Sequence, residues 1–442
     1  MQCKNIINLV FICTSMFFGG LSLSLLSPFY PHEALKKGVS VTKSGLVVGA
    51  VFITTVLCTP LCGKFIQKLG AKNLLIIGSI ICALGNILFG FIGYVEEQTL
   101  FFVLSVLTRI FTAVGEAAIT ATCYPLAAYQ VSKQNEGKAM AVAEAFFGVG
   151  TMLGASVGGI LYDLAGFSIP FYVCGGILLA STLISICCFD DTNVILESGN
   201  NTRDVTWVEV LSCPGLFIGL FGLIFAGCAR SWYAASLEPF LNKKFGLTSG
   251  QCGLVFMAPG LTYTIFTPIF GIFIDRGFHS MKVMIIGNVV ILLSFFFMGP
   301  IPQLETLGSN LWLTVLSIGV QGLGTAGTFL GALLLMMKGT GLGGLPDTEQ
   351  VKGMVSSLWL LGVCLGSYIG ATIGSAVFDH FSFEESTFFE CCLMALNIGV
   401  LLAVFISQRV SISLKYENDD RQPILFREET ISREEEERIC GE

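Results

Sequence analysis

The sequence predicts an all-α integral membrane protein whose twelve transmembrane helices form two pseudo-symmetric six-helix bundles. Three observations predict this fold class: the apolar composition, the number of long apolar stretches, and a repeat that relates the two halves of the chain. Of the 442 residues, 53% are hydrophobic and 12% are charged, and the mean hydropathy is +0.78. A soluble domain of this length needs a more polar surface, so the composition indicates a membrane protein.

Apolar stretches of about 20 residues, the length needed to cross the hydrocarbon layer, account for most of the chain. The first stretch is long enough to span, and no cleavage site of small residues follows it. We therefore interpret it as a transmembrane helix rather than a signal peptide. Breaks at charged, glycine and proline residues define twelve predicted spans, at 6–28, 44–66, 73–94, 99–125, 138–162, 168–189, 213–237, 250–273, 282–300, 311–337, 353–377 and 386–407.

These spans form two blocks of six, 1–189 and 213–407, which the polar segment 190–212 joins. The charged residues 408–442 are predicted to be a disordered tail. Basic residues are concentrated in the loops on one side, which predicts that the linker and both termini are cytosolic. The predicted cytosolic loops carry Lys64, Lys68, Lys72, Lys133, Lys138, Arg203, Arg276, Lys282, Lys338 and Lys352, whereas the predicted outer loops carry Lys36, Lys37, Lys43, Lys243 and Lys244.

The two blocks repeat each other in sequence. The segment 59–66, TPLCGKFI, reappears 208 residues later as TPIFGIFI at 267–274. Two matches at nearly the same offset indicate an internal duplication, which is typical of transporters with a binding site between two halves. In the second match, at an offset of 216 residues, Gly150, Gly154, Ala155, Gly158, Asp163 and Phe167 correspond to Gly366, Gly370, Ala371, Gly374, Asp379 and Phe383.

The sequence lacks the residues that other functional classes need. The 16 cysteines are scattered through apolar stretches and the chain has three histidines, so we expect neither a metal site nor another cofactor. The sequence contains no phosphate-binding loop and no nucleophile elbow, which argues against an enzyme and against ATP-driven transport. The net charge of −7 is influenced by the acidic tail, and no basic excess indicates binding to nucleic acid.

Charged residues at membrane depth are costly, and each is therefore a functional candidate. Glu116 and Glu144 lie in the fourth and fifth predicted spans, and Glu238 lies at the outer end of the seventh. A carboxylate in such a place can hold either a proton or a cationic solute. Because Arg109 and Arg230 also lie in spans, a structural ion pair is the competing interpretation for Glu116 and Glu144. For Glu238 the competing interpretation is a solvated residue at the mouth of the pathway.

The loop after the second span resembles the signature loop of the major facilitator superfamily. Its sequence, GKFIQKLGAK at 63–72, has the glycines and basic residues of that signature, with Gln67 where an acid is usual. The copy in the second half keeps both the acid and the base. The resemblance implies a major facilitator fold in which this loop braces neighbouring helix ends and sets the balance between inward and outward states. The gating or structural candidates are Gly63, Gly70, Asp275 and Arg276.

Two further segments resemble proton-coupled exporters of the same superfamily. Arg109, followed by GEAA at 115–118, is similar to their fourth-helix arginine motif. The segment GVGTMLGASVGG at 148–159 resembles their fifth-helix antiporter motif, with Ala155 where proline is usual. Small residues at every fourth position let helix backbones approach closely. Packing alone and a role in gating both stay open for the glycines of this stripe, which include Gly154, Gly158 and Gly159.

The end of the first span, SPFYPHEALKKG at 27–38, resembles the vesicular amine transporter family and is nearest to its polyamine branch. The segments AEAF at 143–146 and GGILY at 158–162 extend this resemblance. It implies proton-driven exchange of an organic cation into an acidic organelle, with a small solute, protons and the lipid bilayer as partners. Glu144 is the first candidate for the titrating site because it lies inside one of these segments.

The seventh span departs from that family. The acid that the polyamine branch carries one turn before Glu238 is replaced by Ala234, and Arg230 lies about 22 Å into the span. A fixed cation repels a polycationic solute unless an acid neutralises it. An anion or neutral-solute facilitator of the same fold is therefore one alternative. A transport-dead sensor or scaffold is another, which the motif departures at Gln67, Ala155 and Ala371 favour.

The tail contains DRQPIL at 420–425, which approximates an acidic dileucine sorting signal. We expect Asp420, Ile424 and Leu425 to bind sorting adaptors that direct the protein to vesicles, endosomes or lysosomes, with the plasma membrane as the alternative location. An incidental Ile-Leu pair in a solvated tail is the competing interpretation. By resemblance to major facilitators, the chain is expected to act as a monomer.

Overall fold

The computed structural model describes residues 3–131, 136–188, 205–299, 310–346 and 349–418, and all regular secondary structure within these ranges is helical. The predicted sorting residues Asp420, Ile424 and Leu425 lie outside the described residues. The described α-helices are α1 (Cys3–Ser24), α2 (Tyr30–Lys36), α3 (Val41–Leu69), α4 (Ala71–Phe91), α5 (Gln98–Tyr129), α6 (Glu136–Ala165), α7 (Ser168–Cys188), α8 (Trp207–Leu211), α9 (Pro214–Ser231), α10 (Leu237–Phe245), α11 (Ser249–Asp275), α12 (Ser280–Met298), α13 (Leu311–Leu342), α14 (Glu349–His380) and α15 (Phe383–Asn418).

The predicted all-α membrane fold is confirmed. Among the described helices, eleven are long and apolar enough to cross a membrane, namely α1, α3 to α7 and α11 to α15. The remaining predicted span, the seventh, corresponds to α9, a shorter helix whose apolar stretch is Gly215–Ser231. The first six spans pack around one buried apolar core and the last six around another, so each block of the sequence is a helical bundle.

The seventh span is shorter than the predicted 213–237, because α9 ends at Ser231 and the chain turns before α10 begins. Pro239 explains the break. It has no N–H to bond to the carbonyl of Ala235, and its ring would clash with that carbonyl in a continuous helix. Pro31 lies 208 residues earlier in the first turn of α2. Each half therefore places a short, proline-containing helix after its first span.

Two more boundaries differ from the predicted ones. The last residues of the predicted linker form the short helix α8, in which the Thr206 hydroxyl accepts a hydrogen bond from the Glu209 N–H at 3.4 Å. The final helix, α15, continues to Asn418, beyond the predicted end of the span at 407. Residues 400–418 contain no glycine or proline that would end it.

Within each bundle, two helices approach until their backbones touch. A Cβ atom at Gly154 of α6 would lie 2.4 Å from the Leu21 carbonyl oxygen of α1, and one at Gly158 would lie 2.4 Å from the carbonyl oxygen of Leu25, which directly follows α1. In the second bundle, a Cβ atom at Gly370 of α14 would lie 2.1 Å from the Cys228 carbonyl oxygen of α9. Only glycine leaves room for such contact, so the glycines of the repeat build the same helix pair twice.

The contact between the two bundles is close at one end and loose at the other. It is formed by α6 against α11 and by α14 against α3. A Cβ atom at Gly253 of α11 would lie 2.5 Å from the nearest atom of α6. Farther along the same helix pair, the corresponding distances are 3.2 Å at Gly260 and 3.9 Å at Gly148. We refer to the end where α3 and α11 begin as the closed end, and to the end where they finish as the open end.

Replacing Gly370 with alanine is expected to destabilise the protein by about 1–3 kcal/mol, because the new methyl group overlaps the Cys228 carbonyl oxygen. Thermal unfolding in detergent measures the change. Gly399→Ala is the matched control, since Gly399 is exposed on α15 and has no described atom within 4 Å of the added methyl. Its melting temperature should stay constant or rise, because alanine favours helix over glycine. Equal melting temperatures for the two variants would contradict the backbone contact.

Candidate functional site

Glu144 lies between the two bundles. It is about 12 Å along α6 from the start of the helix at Glu136, and its side chain is exposed. Its carboxylate accepts a hydrogen bond from the Tyr124 hydroxyl of α5. Tyr263 of α11, in the opposite bundle, is within electrostatic range of Glu144. Glu144 therefore faces the second bundle across the gap between α6 and α11, on the side of the open end.

Arg230 approaches the same region from the second bundle. It is half-buried and lies about 24 Å along α9 from Pro214. Its charge acts on Tyr263 and on Cys364 of α14. Within the described part of the chain, neither Arg230 nor Glu144 forms an ion pair. Tyr263 is thus in range of an anion and a cation that belong to opposite bundles and are not paired with each other.

Arg109 and Glu116 lie apart from this gap, in the interior of the first bundle. Their exposures are 2% and 6%, and their opposite charges attract each other along α5. The Arg109 guanidinium donates to the Ser22 carbonyl oxygen of α1 at 3.3 Å. The Ser22 hydroxyl in turn exchanges hydrogen bonds with the Asn86 amide of α4. Arg109, Ser22 and Asn86 thus form a buried polar network that joins three helices, and Glu116 lies within electrostatic range of Arg109.

Glu238 joins the two bundles at the closed end. It is completely buried, and its Oε1 atom lies 3.7 Å from the His32 Nδ1 atom of α2. The alternative interpretation of a solvated mouth residue is therefore wrong. The reason is that the proline-containing helices α2 and α10 cover each other at this end.

Both partners of this contact are mainly uncharged at neutral pH. Burial raises the pKa of Glu238 to about 8, and the neighbouring Lys36 charge and the His32 backbone N–H oppose that rise. Burial and Lys36 lower the pKa of His32, against the opposing effects of Glu33 and Asp163. The contact at 3.7 Å is therefore not a charged pair near pH 7, and closure of this end keeps the Glu238 carboxyl group protonated.

Two of the segments that resemble vesicular amine transporters, 27–38 and 158–162, meet at the closed end. The Phe29 and Tyr162 rings stack with their centroids 4.9 Å apart. The Tyr162 hydroxyl donates to the Glu33 carboxylate at 2.8 Å, and the Lys36 ammonium donates to the same hydroxyl at 3.0 Å. These contacts hold α2 against the end of α6, next to Glu238.

The signature-loop residues lie at the open end. Gly70 connects α3 directly to α4 with φ of 79°, a conformation that costs glycine little. A methyl group added at Gly63 would have no described neighbour within 4 Å, and Arg276, which follows α11, is exposed. The side chains of Gln67 and Asp275 are outside the described set, so a charge latch at Asp275 stays a prediction.

The glycines of the fifth span, which is α6, make two kinds of contact: some pack within their own bundle, and one packs against the other bundle. Gly154 and Gly158 contact α1 within their own bundle, which is the packing interpretation. Gly159 contacts the other bundle, because a Cβ atom there would lie 2.3 Å from the Ser249 carbonyl oxygen. Of these three candidates, Gly159 is therefore the one that lies in the seam between the bundles.

Sequence reasoning missed three residues. Tyr124 and Tyr263 adjoin Glu144, but tyrosines in apolar helices carry no spacing that marks a site. Glu390 of α15 is completely buried, and its Oε2 atom is 4.0 Å from the Cys228 Sγ atom. The rule that selected Glu116, an acid inside a predicted span, would also have selected Glu390.

Comparison with known proteins identifies the family. The family model described as Major Facilitator Superfamily matches residues 12–221 and 219–427, which together include most of both bundles. The chain belongs to the major facilitator superfamily. It is a multi-pass membrane transporter and not an enzyme.

Among individual relatives, the chain is 29% identical to the MFS-type transporter SLC18B1 of Rattus norvegicus over 387 residues, which cover 87% of this chain and 83% of the relative. It is 22% identical to the chromaffin granule amine transporter of Homo sapiens over 351 residues, which cover 78% of this chain and 61% of the relative. The resemblance to the vesicular amine transporter family is thereby confirmed.

Solved structures share the fold at low sequence identity. The nucleoside transporter NupG, in a mutant form, superposes with a TM-score of 0.71 at 15% identity, covering 90% of this chain and 100% of NupG. A bacterial homolog of the human lysosomal transporter Spinster, in an inward-facing and occupied conformation, gives a TM-score of 0.70 at 12% identity, covering 91% of this chain and 96% of the homolog. These likenesses support the fold alone.

The buried position of Glu238 predicts a pH dependence of the closed end. When the bundles separate there, water reaches the carboxyl group and its pKa falls back toward 4.5. Because the pKa is higher in the closed conformation, protonation stabilises closure. The contribution is complete below about pH 4.5 and is lost as the pH rises through about 8. Raising the pH from about 7 to 9 should therefore loosen the closed end.

The measurement is alkylation of Ser156→Cys, because Ser156 is buried in the α6–α11 seam, where its hydroxyl donates to the Gly253 carbonyl oxygen. Labelling should accelerate with pH more steeply than in the same protein with Glu238→Gln. The ratio of the two rates removes the intrinsic pH dependence of the thiol. Identical pH profiles in the two proteins would rule out this role for Glu238.

Proposed function

We propose that this transporter exchanges protons for a small organic cation across an organelle membrane by alternating access. The observation that carries the proposal is the position of Glu144. It is an exposed carboxylate in the gap between the bundles, and the structure describes no ion pair that would neutralise it. Similarity to the chromaffin granule amine transporter and to SLC18B1 supports an amine as the solute.

The chemistry of exchange at Glu144 depends on its two neighbours. The Tyr124 hydroxyl donates a hydrogen bond to the carboxylate and fixes its position. The ionised group attracts an ammonium ion, while the faces of Tyr124 and Tyr263 add cation–π attraction. A proton on Glu144 removes that charge and releases the cation. Proton and cation therefore compete for one carboxylate, which is the requirement for exchange.

Arg230 restricts the charge of the cation. Its guanidinium has no acidic partner within the described residues, and it lies in the same half of the gap as Tyr263. A solute with one ammonium group can stay near Glu144, whereas an extended polyamine would bring a further charge toward Arg230. We infer that monoamines are preferred to polyamines.

The orientation of the protein is part of the proposal. The loops at the open end carry more basic residues, including Lys64 and Lys68, which are exposed, and basic loops favour the cytosol. The open end and both termini are then cytosolic, and the closed end with Glu238 faces the interior of a vesicle, endosome or lysosome. In this conformation the transporter accepts a solute from the cytosol.

Glu144→Gln is expected to lower uptake of a radiolabelled monoamine into proteoliposomes with an acidic interior by about tenfold or more, because one charge–charge contact and the titrating proton are both lost. Tyr124→Phe keeps the carboxylate and should reduce uptake less. Glu97→Gln is the matched control, since Glu97 is an exposed acid in the loop before α5. Uptake that is independent of the proton gradient, or unchanged in Glu144→Gln, would overturn the proposal.

An anion or neutral-solute facilitator is the second candidate, and the unpaired Arg230 is the observation that favours it. Arg230→Gln distinguishes the two functions through competition by mono- and polyamines. For a cation exchanger, the variant should bind diamines and triamines more tightly while monoamine affinity changes little, because a repulsive charge has been removed. For an anion carrier, the variant should lose uptake altogether. Lys282→Gln, an exposed lysine at the start of α12, controls for the loss of a positive charge.

A further inference from the structure

Asp379, the second-last residue of α14, contacts the opposite bundle at the closed end. Its carboxylate accepts hydrogen bonds from the backbone N–H of Val41 at 3.2 Å and from that of Thr42 at 2.7 Å. It also accepts one from the Thr42 hydroxyl. Val41 and Thr42 begin α3, so a carboxylate from the second bundle caps a helix of the first.

Asp163 makes the corresponding contact in the other direction. It lies near the end of α6, and its Oδ2 atom accepts from the backbone N–H of Gly250 in the first turn of α11 at 2.8 Å. Asp163 and Asp379 are separated by the 216-residue repeat, and Thr42 and Gly250 are separated by the 208-residue repeat. The two contacts are therefore copies of one contact, related by the pseudo-symmetry of the fold.

The first turns of α3 and α11 offer free backbone N–H groups to these carboxylates. The Ser40 hydroxyl caps α3 by accepting from the Lys43 N–H, and the Thr248 hydroxyl caps α11 by accepting from the Gln251 N–H. These caps leave the first two N–H groups of each helix without an intrahelical partner. A carboxylate at this position also gains from the positive end of the helix dipole.

We propose that Asp379 and Asp163 are positioning residues that hold the closed end shut, and that outward opening requires both cross-bundle caps to break. The caps are unequal. Asp379 takes three hydrogen bonds and Asp163 takes one. One of the two additional bonds comes from the Thr42 hydroxyl, which Gly250 lacks, and the other comes from the Val41 N–H. The α14–α3 cap is therefore the stronger of the two, and the α6–α11 cap breaks first when the closed end opens.

The surrounding backbone supports a gate at this place. A Cβ atom at Gly45 would lie 2.4 Å from the Ala371 carbonyl oxygen, and one at Gly253 would lie 2.5 Å from the Ala155 carbonyl oxygen. These two pairs are also related by the repeat. The caps thus lie beside close approaches of the bundles in both seams, so the bundles cannot separate at this end while the caps are intact.

This inference rests on the alternating access contained in the proposed function, but its test does not depend on the solute. The readout is alkylation of Ser156→Cys in nanodiscs, quantified at residue 156 by peptide mass spectrometry. Asp379→Asn should increase the labelling rate by about tenfold, the effect of losing charge-assisted hydrogen bonds. Asp163→Asn should give a smaller increase, and the double variant should label fastest. Thermal unfolding verifies that each variant is folded.

Glu385→Gln is the matched control. Glu385 is also a carboxylate that accepts from a backbone N–H at the start of a helix, that of Ser382 at 2.9 Å, but both residues belong to the second bundle. Its replacement should leave labelling unchanged, since the contact does not cross the seam. A second variant, Thr42→Val, removes one hydrogen bond of Asp379 and keeps the carboxylate, and it should raise labelling slightly.

Three outcomes would overturn the proposal. The first is labelling of Asp379→Asn and Asp163→Asn at the rate of the Glu385→Gln control. The second is a larger effect from Asp163→Asn than from Asp379→Asn. The third is an Asp379→Asn protein that does not fold, together with Thr42→Val labelling at the control rate. Loss of amine uptake in Glu144→Gln concerns the solute site alone, so the two proposals fail independently.

Discussion

The backbone contact of α6 with α1, and of α14 with α9, is the constraint on which the rest of the structure depends. Each pair is so close that carbonyl oxygens occupy the space where side chains would lie at Gly154, Gly158 and Gly370. A helix packed in this way cannot slide or rotate on its partner without a clash. Each of α6 and α14 also forms a seam with the opposite bundle. Movement is therefore directed away from the bundle interiors and into the two seams.

The same constraint separates the charged residues into two groups. Arg109 and Glu116 lie inside one bundle, where a network with Ser22 and Asn86 satisfies part of the hydrogen-bonding capacity of Arg109. Glu144 lies where the bundles part. A charge in a rigid interior needs one set of partners, whereas a charge in a gap can exchange a partner at each cycle. The two acids therefore differ in their position relative to the seam and not only in their depth.

Most of the fold could be predicted from the sequence, because apolar length and internal repetition are local properties. The end of α9 could not, since a hydropathy pattern continues smoothly through Pro239 although a helix does not. The distinction between Glu116 and Glu144 was equally out of reach. Glu144 owes its surroundings to Tyr124 and Tyr263, and Tyr263 is distant in sequence and belongs to another bundle. Burial of Glu238 depends in the same way on α2, which is also distant in sequence. Spacing along one helix shows which residues share a face, but not which helix covers that face.

The one-sided access to Glu144 has a consequence for energy conservation. In the observed conformation its side chain is exposed on the side of the open end, while the seam beyond it is closed by backbone contact. A group placed in this way is accessible from one side only and has no path through the seam to the other side. A membrane that stores a proton gradient can therefore contain many copies of this protein without losing the gradient through them. The close packing at glycines blocks the path for protons, and it requires no additional charged group.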